Sequence, residues 1–404
     1  MVDGRKIPEG YKLTEVGVIP EDWDEIYLSK ALLGSPKYGI NAAAVDYSES
    51  LPTYLRITDI SDDGRFIRSK KVSVDNESSE NYYLEENDLV FARTGASTGK
   101  TYLYDSNDGK LVYAGFLIKV SVDQKIMDPR FLKSYTQTET YWNWVRVMSM
   151  RSGQPGINGN EYFKLKLPLP PLSEQNIIAN ALFDTDNLIQ SIEKLIEKKK
   201  KIKQGAIQQL LTGKKRLPEF DGEWEVKKLG EIATVSMGQS PSSKYYNSNM
   251  KGLPLIQGNA DIDKRRSIIR IYTTQITKRC SKGDIIMTVR APVGAIAKAS
   301  TDSCLGRGVC SINFKNDYLY YFLLSIEEKW SQMSKGSTFD SISASDVLTL
   351  EVSLPALKDE QNAIAQVLSD MDLEIEALEE KLEKVKTIKQ GMMQELLTGR
   401  IRLI

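Results

Sequence analysis

Histidine is absent from this chain of 404 residues. The chain therefore lacks the side chain that most often serves as general base, as the base of a catalytic triad and as a metal ligand. Carboxylate chemistry stays open, but the absence favours a binding protein over an enzyme. The three cysteines, Cys280, Cys304 and Cys310, form neither a C-x-x-C pair nor an even disulfide framework, so we expect them to be reduced and mostly buried.

Long apolar runs and a net charge are also missing. No run approaches the roughly 18 apolar residues that span a bilayer, and the first residues, MVDGRKIPEG, lack a signal-peptide core, so we expect a cytoplasmic protein. Lys plus Arg equals Asp plus Glu at 54 each. Binding of nucleic acid would therefore depend on locally concentrated basic side chains. The length is sufficient for two or three domains.

An internal repeat organises the chain. At an offset of 186, residues 174–217 align with residues 360–403 without a gap, and 24 of the 44 pairs are identical. The segments that precede the two copies match more weakly, with Trp23 corresponding to Trp224 and the strand-like run at 87–91 to that at 283–287. The order along the chain is therefore module, helix, module, helix.

Each copy of the repeat predicts a long helix, because apolar residues recur at spacings of mostly four and three, the seam of a coiled coil. Pro170, Pro171 and Pro355 precede the helices, and Gly213 and Gly399 lie where each would end. The predicted seam positions are Ile178, Leu182, Thr185, Ile189, Ile192, Ile196, Lys199 and Ile202 in the first copy and Ile364, Leu368, Met371, Ile375, Leu378, Leu382, Val385 and Ile388 in the second.

The two seams can be buried against each other. If a pseudo-twofold axis relates the copies, the helices run antiparallel and the modules lie at opposite ends. Alternatively, each helix packs on its own module or on a partner chain. We expect the intramolecular pair, and hence an α+β protein: two mixed α/β domains separated by two long antiparallel coiled-coil helices in a pseudo-twofold tandem repeat.

At these segments the chain resembles the specificity subunit of Type I restriction-modification systems. The resemblance includes GVIPEDW at 17–23, LPPLSEQ at 169–175 and KQGAIQQLLTG at 203–213. GDIIMTVRAPVG at 283–294 and GSTFDSIS at 336–343 are similar to pieces of the target recognition domains of that family. Single pieces are moderately specific, whereas their doubled order is highly specific.

The resemblance implies a non-catalytic subunit whose two target recognition domains each read one half of an asymmetric bipartite DNA target. It also implies two adenine N6 methyltransferase subunits docked on the paired helices, and two ATP-driven restriction/translocase subunits. S-adenosylmethionine, ATP and magnesium would belong to those partners, and this chain would hold no cofactor or metal. In agreement, we find no Asn-Pro-Pro-Tyr motif, no Rossmann fingerprint and no complete nucleotide-binding loop.

The resemblance and the repeat together predict the domain borders. We expect an N-terminal segment (1–17), recognition domain 1 (18–168), a first helical region (169–217), recognition domain 2 (218–352) and a second helical region (353–404). Candidates for the helical pair and for methyltransferase docking are Glu174, Gln175, Ile189, Ile196, Glu360, Gln361, Ile375 and Leu382.

The segment Gly95 to Thr101 looks like a phosphate-binding loop. It is one residue short of the pattern, which needs four residues between the first glycine and Gly-Lys so that successive amides surround the phosphates. The residues that follow, 102–104, predict a strand rather than the required helix. We interpret the loop, with Lys100, as facing DNA or as purely structural.

Other DNA-binding candidates follow the two similar strands. Arg93 and Arg290 could each present a guanidinium to guanine or phosphate, although an ordinary surface arginine or a buried ion pair is an equal alternative. Further donors of hydrogen bonds in the later loops are Arg151, Gln154, Lys335, Ser337 and Thr338, any of which could be merely solvated.

Two other features favour structural interpretations. The lysine run at 198–201 could line DNA, but such a run is more often the solvated face of a helix. Tyr141, Trp142 and Trp144 have helical spacing, so core packing is favoured over base stacking. Two rival functions stay open. A coiled-coil scaffold that binds proteins would show only weak, salt-labile DNA binding, and a self-sufficient DNA-modifying enzyme would act without partners.

Overall fold

The protein is described by a computed structural model over residues 7–150, 153–334 and 341–403. The candidates Arg151, Lys335, Ser337 and Thr338 lie outside the described residues. The chain forms two compact units, unit 1 (Met1–Glu193 with Lys381–Ile404) and unit 2 (Lys194–Glu380). Each unit combines one module with parts of both long helices. In the described part of the chain, no helix is long and apolar enough to cross a membrane.

The module of unit 1 is built around two four-stranded sheets. Its elements are β1 (Tyr11–Thr14), β2 (Gly17–Pro20), β3 (Asp24–Tyr27), β4 (Lys37–Tyr38), β5 (Ala44–Asp46), β6 (Thr53–Leu55), β7 (Val72–Val74), β8 (Asp88–Ala92), β9 (Thr101–Leu103), β10 (Leu111–Tyr113), β11 (Leu117–Ser121), α1 (Pro129–Tyr135), α2 (Glu139–Ser149), α3 (Gly159–Tyr162), β12 (Lys166–Leu169) and α4 (Leu172–Leu210). The sheets have the orders β10-β6-β7-β5 and β4-β11-β8-β9, and β1–β2 and β3–β12 form separate pairs.

Strand β8 divides the core of this module. All five of its residues are buried, and successive side chains point to opposite faces of the sheet. Leu89 and Phe91 therefore pack in a cluster with α1 and α2, whereas Val90 and Ala92 pack in a second cluster with β10. Because both faces of β8 are covered, the loop that follows it leaves the sheet from a fixed position.

The module of unit 2 contains a six-stranded and a five-stranded sheet. Its elements are β13 (Trp224–Lys228), α5 (Leu229–Ile232), β14 (Thr234–Met237), β15 (Tyr246–Asn247), β16 (Leu253–Ile256), β17 (Ile262–Asp263), β18 (Arg266–Ser267), β19 (Tyr272–Thr273), β20 (Arg279–Cys280), β21 (Ile285–Thr288), β22 (Ile296–Lys298), β23 (Ser303–Leu305), β24 (Val309–Asn313), α6 (Tyr318–Ser325), α7 (Glu327–Ser334), α8 (Ala344–Leu348), β25 (Glu351–Pro355) and α9 (Lys358–Leu396). The orders are β14-β24-β21-β22-β18-β17 and β15-β19-β16-β23-β20, with β13–β25 as a separate pair. Cys280, Cys304 and Cys310 are free and buried, as predicted.

The two predicted helices are confirmed as α4 and α9. Each has 39 residues, which corresponds to about 58 Å at 1.5 Å per residue. Helix α4 begins directly after Pro170 and Pro171, where a missing amide costs no helical hydrogen bond. Gly213 and Gly399 follow the helix ends, each with a φ of 69°, in the left-handed region that glycine adopts without strain.

In unit 1 the two helices run antiparallel. Ile178 and Leu182, near the start of α4, share a buried cluster with Leu396 and Leu397, where α9 ends. Further along α4, Asp186 accepts a hydrogen bond from Lys389 at 2.8 Å. Partners of rising number in α4 thus have falling numbers in α9, so the intramolecular antiparallel pair is confirmed.

Unit 2 repeats this arrangement with the roles of the helices exchanged. Leu210 and Leu211, where α4 ends, share a buried cluster with Ile364, near the start of α9. Lys203 pairs with Asp372, the counterpart of the Lys389 pair in unit 1. The helical ion pairs are thus reciprocal, because each repeat supplies the lysine to the aspartate of the other.

The predicted seam is wrong at one position in each helix. Ile202 is 47% exposed and Ile388 is 49% exposed, whereas the other predicted seam positions are buried or half-buried. A strict alternation of three and four residues leads from Lys199 to Lys203, and correspondingly to Lys389. Those lysines point inward and are ion-paired. The apolar isoleucine one residue earlier was mistaken for the seam residue.

Candidate nucleic-acid interface

Arg93 immediately follows β8 in unit 1 and lies on an aromatic ring. Its guanidinium carbon is 4.9 Å from the ring centroid of Tyr38, a residue that is 43% exposed. The Tyr38 hydroxyl accepts a hydrogen bond from the amide of Gly159 at 3.1 Å, which fixes the ring. Cation–π stacking on a fixed ring orients the guanidinium before any ligand arrives. Arg93 is thus a half-exposed, pre-positioned cation.

The following loop, Gly95 to Lys100, closes on itself. The amide and the hydroxyl of Thr98 both donate to the Gly95 carbonyl, and the Lys100 amide donates to the Ser97 carbonyl. The predicted strand after the loop is confirmed as β9. Lys100 lies at the far end of the loop, where its ammonium is 2.6 Å from the Asp62 carboxylate. The amides of residues 95, 98, 99 and 100 therefore donate to backbone carbonyls of the protein instead of forming a phosphate cradle.

Helix α2 contacts this loop and holds it in place. The buried Tyr141 hydroxyl donates to the Gly99 carbonyl at 2.7 Å. Gly99 has a φ of 92°, and a Cβ there would lie 2.7 Å from a methyl of Val145, so only glycine fits. Tyr141 is fully buried, and Trp142 and Trp144 pack against the same core, which confirms the predicted packing role of this aromatic cluster.

Gln154 lies next to the same loop. It is exposed, and its Nε2 would be 3.0 Å from a Cβ on Gly95. The amide of Gly95 donates to the Pro155 carbonyl at 3.0 Å, which holds the two segments together. The structure therefore brings Arg93 and Gln154 to the same loop, as expected for two groups on one binding surface. Their contact with DNA stays a prediction.

Arg93 and Arg290 follow the two similar strands, but they do not occupy equivalent positions. In unit 1, Ala92 exchanges two backbone hydrogen bonds with the residues at 99 and 100, and in unit 2 Thr288 does the same with those at 294 and 295. Arg93 therefore corresponds to Val289, which is buried. Arg290 corresponds to residue 94, one step further along. The loop that follows the strand is one residue shorter in unit 2.

Unit 2 presents different basic groups at its loops. Arg290 is exposed and forms a backbone bridge with Ser341. Arg307 is also exposed, in the turn between β23 and β24, and its amide donates to the hydroxyl of Ser240 at 3.1 Å. Sequence reasoning missed Arg307; the Gly-Arg-Gly tripeptide at 306–308 was the available signal.

Glu174 and Glu360, proposed above for the helical pair and docking, are buried beside arginines. Arg402 donates two hydrogen bonds to Glu174, at 2.7 and 2.8 Å, and Trp23 donates a third at 3.0 Å. Arg216 donates to Glu360 at 2.6 and 2.7 Å. Because 216 and 402 are equivalent positions of the repeat, each repeat supplies an arginine to the buried glutamate of the other.

The remaining candidates for the helical pair and docking are also internal. Gln175 donates to the Pro170 carbonyl at 2.9 Å, and Gln361 donates to the Pro355 carbonyl at 2.8 Å, so both glutamines join a helix start to its own module. The other four are between 2% and 9% exposed: Ile189, Ile196, Ile375 and Leu382. These side chains pack the protein itself and leave little surface for a partner, while their docking role is untested.

The lysine run at 198–201 is largely neutralised. Lys199 and Lys200 form ion pairs with glutamates of α9, both at 2.6 Å. Lys201 pairs with Glu197 one turn earlier at 2.6 Å. Lys198 is exposed. The interpretation as a solvated helix face is therefore favoured over a DNA-lining stripe.

One lysine of unit 1 points its ammonium group inward. Lys133 on α1 donates to the Thr101 carbonyl at 3.1 Å and lies close to Lys389. Loss of hydration, followed by repulsion from Lys389, lowers the pKa of Lys133 to about 7. This ammonium therefore joins α1 to the start of β9 and lies close to the Lys389 ammonium of α9.

The chain is similar to known proteins over nearly its whole length. The family model for the Type I restriction modification DNA specificity domain matches residues 11–204 and, a second time, residues 221–387. The chain is 32% identical to the putative type I restriction enzyme MjaX specificity subunit of Methanocaldococcus jannaschii, over 98% of this chain and 97% of that relative.

Solved structures agree on the fold. The S subunit of a Type-I restriction-modification system from M. genitalium has a TM-score of 0.65 at 14% identity, covering 97% of this chain and 98% of its own. A chain solved in work on complex assembly and conformational transition of the type I R-M system has a TM-score of 0.58 at 22% identity, covering 95% and 99%. At such identities the likeness concerns the fold alone.

Proposed function

Because the chain belongs to the family of Type I restriction-modification DNA specificity subunits, and is itself a DNA sequence-specificity subunit with two target recognition domains, we propose that each domain reads one half of an asymmetric bipartite target. The differing loops support this assignment. Domain 1 presents Arg93 stacked on Tyr38, whereas domain 2 has a buried Val289 at the equivalent position and exposed Arg290 and Arg307. Different side chains at equivalent positions would select different base pairs.

The helical pair would dock two adenine N6 methyltransferase subunits. The observation that supports this is a set of exposed residues that occurs twice, Ile202, Gln204 and Gln208 on α4 and Ile388, Gln390 and Gln394 on α9. All six are exposed, and each residue is identical to its counterpart. Packing explains identity at buried positions, but it does not explain an isoleucine that is about half exposed in both copies. Two equal sets of exposed residues fit two copies of one partner.

The same helices would set the distance between the half-sites. A helix is a stiff spacer, with a rise of about 1.5 Å per residue. The reciprocal ion pairs and buried clusters hold α4 and α9 together in each unit. The length of the two helices would thus determine the distance between the two half-sites on the DNA.

Catalysis would belong to the partners. The methyltransferase subunits would bind S-adenosylmethionine, and two restriction/translocase subunits would use ATP and magnesium. This chain would contribute recognition and assembly and no catalytic residue. A coiled-coil scaffold without DNA specificity would leave the two recognition domains of the family without a role.

The stoichiometry of the complex tests the docking proposal. Native mass spectrometry of the reconstituted complex should give two methyltransferases per wild-type chain. Ile202→Glu or Ile388→Glu should leave one, because each places a charge in one contact, and the double variant should leave none. Leu373→Glu is the matched control, since Leu373 is 59% exposed on α9 but its counterpart is Asn187. One methyltransferase in a fully active wild-type complex, or two on the double variant, would contradict the proposal.

A further inference from the structure

Phe116 is an exposed aromatic residue on the recognition surface of domain 1. It precedes β11 and is 56% exposed. A phenylalanine that is more than half exposed forgoes much of the free energy that burial would supply. The side chain therefore contributes little to the stability of the folded chain, and its position requires another explanation.

The backbone around Phe116 is held firmly. The Phe116 carbonyl accepts the Arg93 amide at 3.0 Å, and the Leu117 amide donates to the Ala114 carbonyl at 2.8 Å. The amide of Gly115 donates to the Ile40 carbonyl at 2.8 Å. The turn is therefore tied to both neighbouring segments and presents its side chain from a defined position, with little entropy left to lose on binding.

Phe116 and Arg93 lie opposite each other at the end of an antiparallel ladder. The ladder of β8 and β11 ends at the pair of Ala92 and Leu117, and the hydrogen bond from the Arg93 amide to the Phe116 carbonyl continues it by one residue. Both residues lie one step outside β8 and β11, and continued alternation of the strands would place their side chains on the side of Phe91 and Ile118. Directly opposed residues have Cβ atoms about 4.5 to 5.5 Å apart, which is between one and two steps of about 3.4 Å between adjacent base pairs, so the two side chains can reach neighbouring base pairs.

We propose that Phe116 is a specificity-determining residue that makes an apolar contact with a thymine C5-methyl group, in the base pair next to the one that Arg93 contacts. This inference rests on the proposed function. In the major groove the thymine methyl is the apolar group that a phenylalanine can recognise, and an arginine beside it reads guanine. The paired aromatic and cation thus match a guanine next to a thymine.

The contact would exist in only one half-site. In unit 2, the Val289 amide donates to the Gly308 carbonyl at 2.9 Å, as the Arg93 amide does to Phe116. Gly308 therefore occupies the position of Phe116, and domain 2 has no aromatic side chain there. The half-site of domain 2 is therefore an internal control, because substitutions at residue 116 should not affect it.

The test uses the complete methyltransferase complex and a genome-wide map of methylated adenines. Phe116→Ala should relax one thymine position of one half-site, with about a tenfold loss of discrimination, equivalent to about 1.4 kcal/mol. Phe116→Leu, which keeps an apolar side chain, should retain part of the preference. The control is Leu33→Ala: Leu33 is 70% exposed at the other end of β11, where its amide donates to the Ser121 carbonyl, and its loss should change nothing.

A chemical substitution in the DNA identifies the contacted group. Replacing that thymine by uracil removes only the methyl, so the wild-type complex should lose about tenfold in affinity while Phe116→Ala loses none. Weaker binding of Phe116→Ala with an unchanged motif, relaxation at a position that is not thymine, or equal sensitivity of both proteins to uracil would overturn the inference. A wild-type complex without sequence preference would instead refute the proposed function.

Discussion

At the residue scale, which side chains form the recognition surface depends on where the strands end and on which residues lie opposite each other on neighbouring strands. The position of Arg93 after a buried strand could be predicted from the sequence alone, because a continuous apolar run indicates such a strand. Tyr38 and Phe116 could not be predicted to lie beside it. They are 55 and 23 residues away in sequence, and their approach depends on the registers in which β11 pairs with β4 and with β8.

The strand register also determines which residue of domain 2 occupies the position of Arg93. Arg93→Ala should weaken binding at one base pair by about 1 to 3 kcal/mol, because a pre-positioned guanidinium is lost. Arg93→Lys should recover little, since an ammonium cannot make a bidentate contact. Binding to target and non-target DNA is compared at fixed salt. If Arg93→Ala kept the full selectivity between target and non-target DNA, Arg93 would have a purely structural role.

The lowered pKa of Lys133 predicts that the free energy of unfolding depends on pH. With a pKa of about 7 in the folded chain and 10.5 as the ordinary value, the unfolded chain binds more protons between those pH values. The free energy of unfolding should therefore rise with pH through this window and be flat below about 7. Lys133→Met should remove that dependence, because it has no group to titrate.

Urea unfolding of both proteins at pH 6, 7.5 and 9 checks this expectation. The stability of the wild type relative to Lys133→Met should increase from the lowest to the highest pH. Parallel pH profiles would show that the ammonium group of Lys133 is not desolvated.

At the element scale, the two long helices are the part of the fold that could be predicted best from the sequence. A heptad pattern, prolines before it and glycines after it fix the extent of each helix within a few residues. The one error, at Ile202 and Ile388, arose because the seam continues through charged residues. A search for apolar residues does not select the half-buried lysines Lys203 and Lys389, and the aspartate that pairs with each lies on the other helix.

Extending both helices together tests their proposed role as a spacer. One heptad inserted after Glu193 in α4 and one after Glu380 in α9, at the borders of the two compact units, keeps the seam in phase. Seven residues add about 10 Å, so the spacer of the methylated target should lengthen by about three base pairs. The half-sites should not change, because the recognition domains are untouched.

Single insertions are the matched control. A heptad in only one helix should abolish activity, since the reciprocal ion pairs and clusters of α4 and α9 then fall out of register. Mapping of methylated adenines gives the result for each variant. An active double-insertion variant with an unchanged spacer would show that the helices do not set the spacing.

At the scale of the whole molecule, two compact units each combine one recognition domain with parts of both helices. The sequence predicted two modules and two helices, and the family shows that the modules are target recognition domains. The reciprocal arginine pairs to Glu174 and Glu360 could not be predicted, because identical residues in two repeats do not indicate whether a pair forms within a repeat or between repeats.

The central claim is that two separable domains in one chain each specify half of the target. The direct measurement is the methylated motif of a chain whose residues 218–352 are replaced by the corresponding domain of another specificity subunit. The account predicts one changed half-site, while the half-site read by domain 1 keeps its sequence. A motif in which both half-sites change together would contradict it.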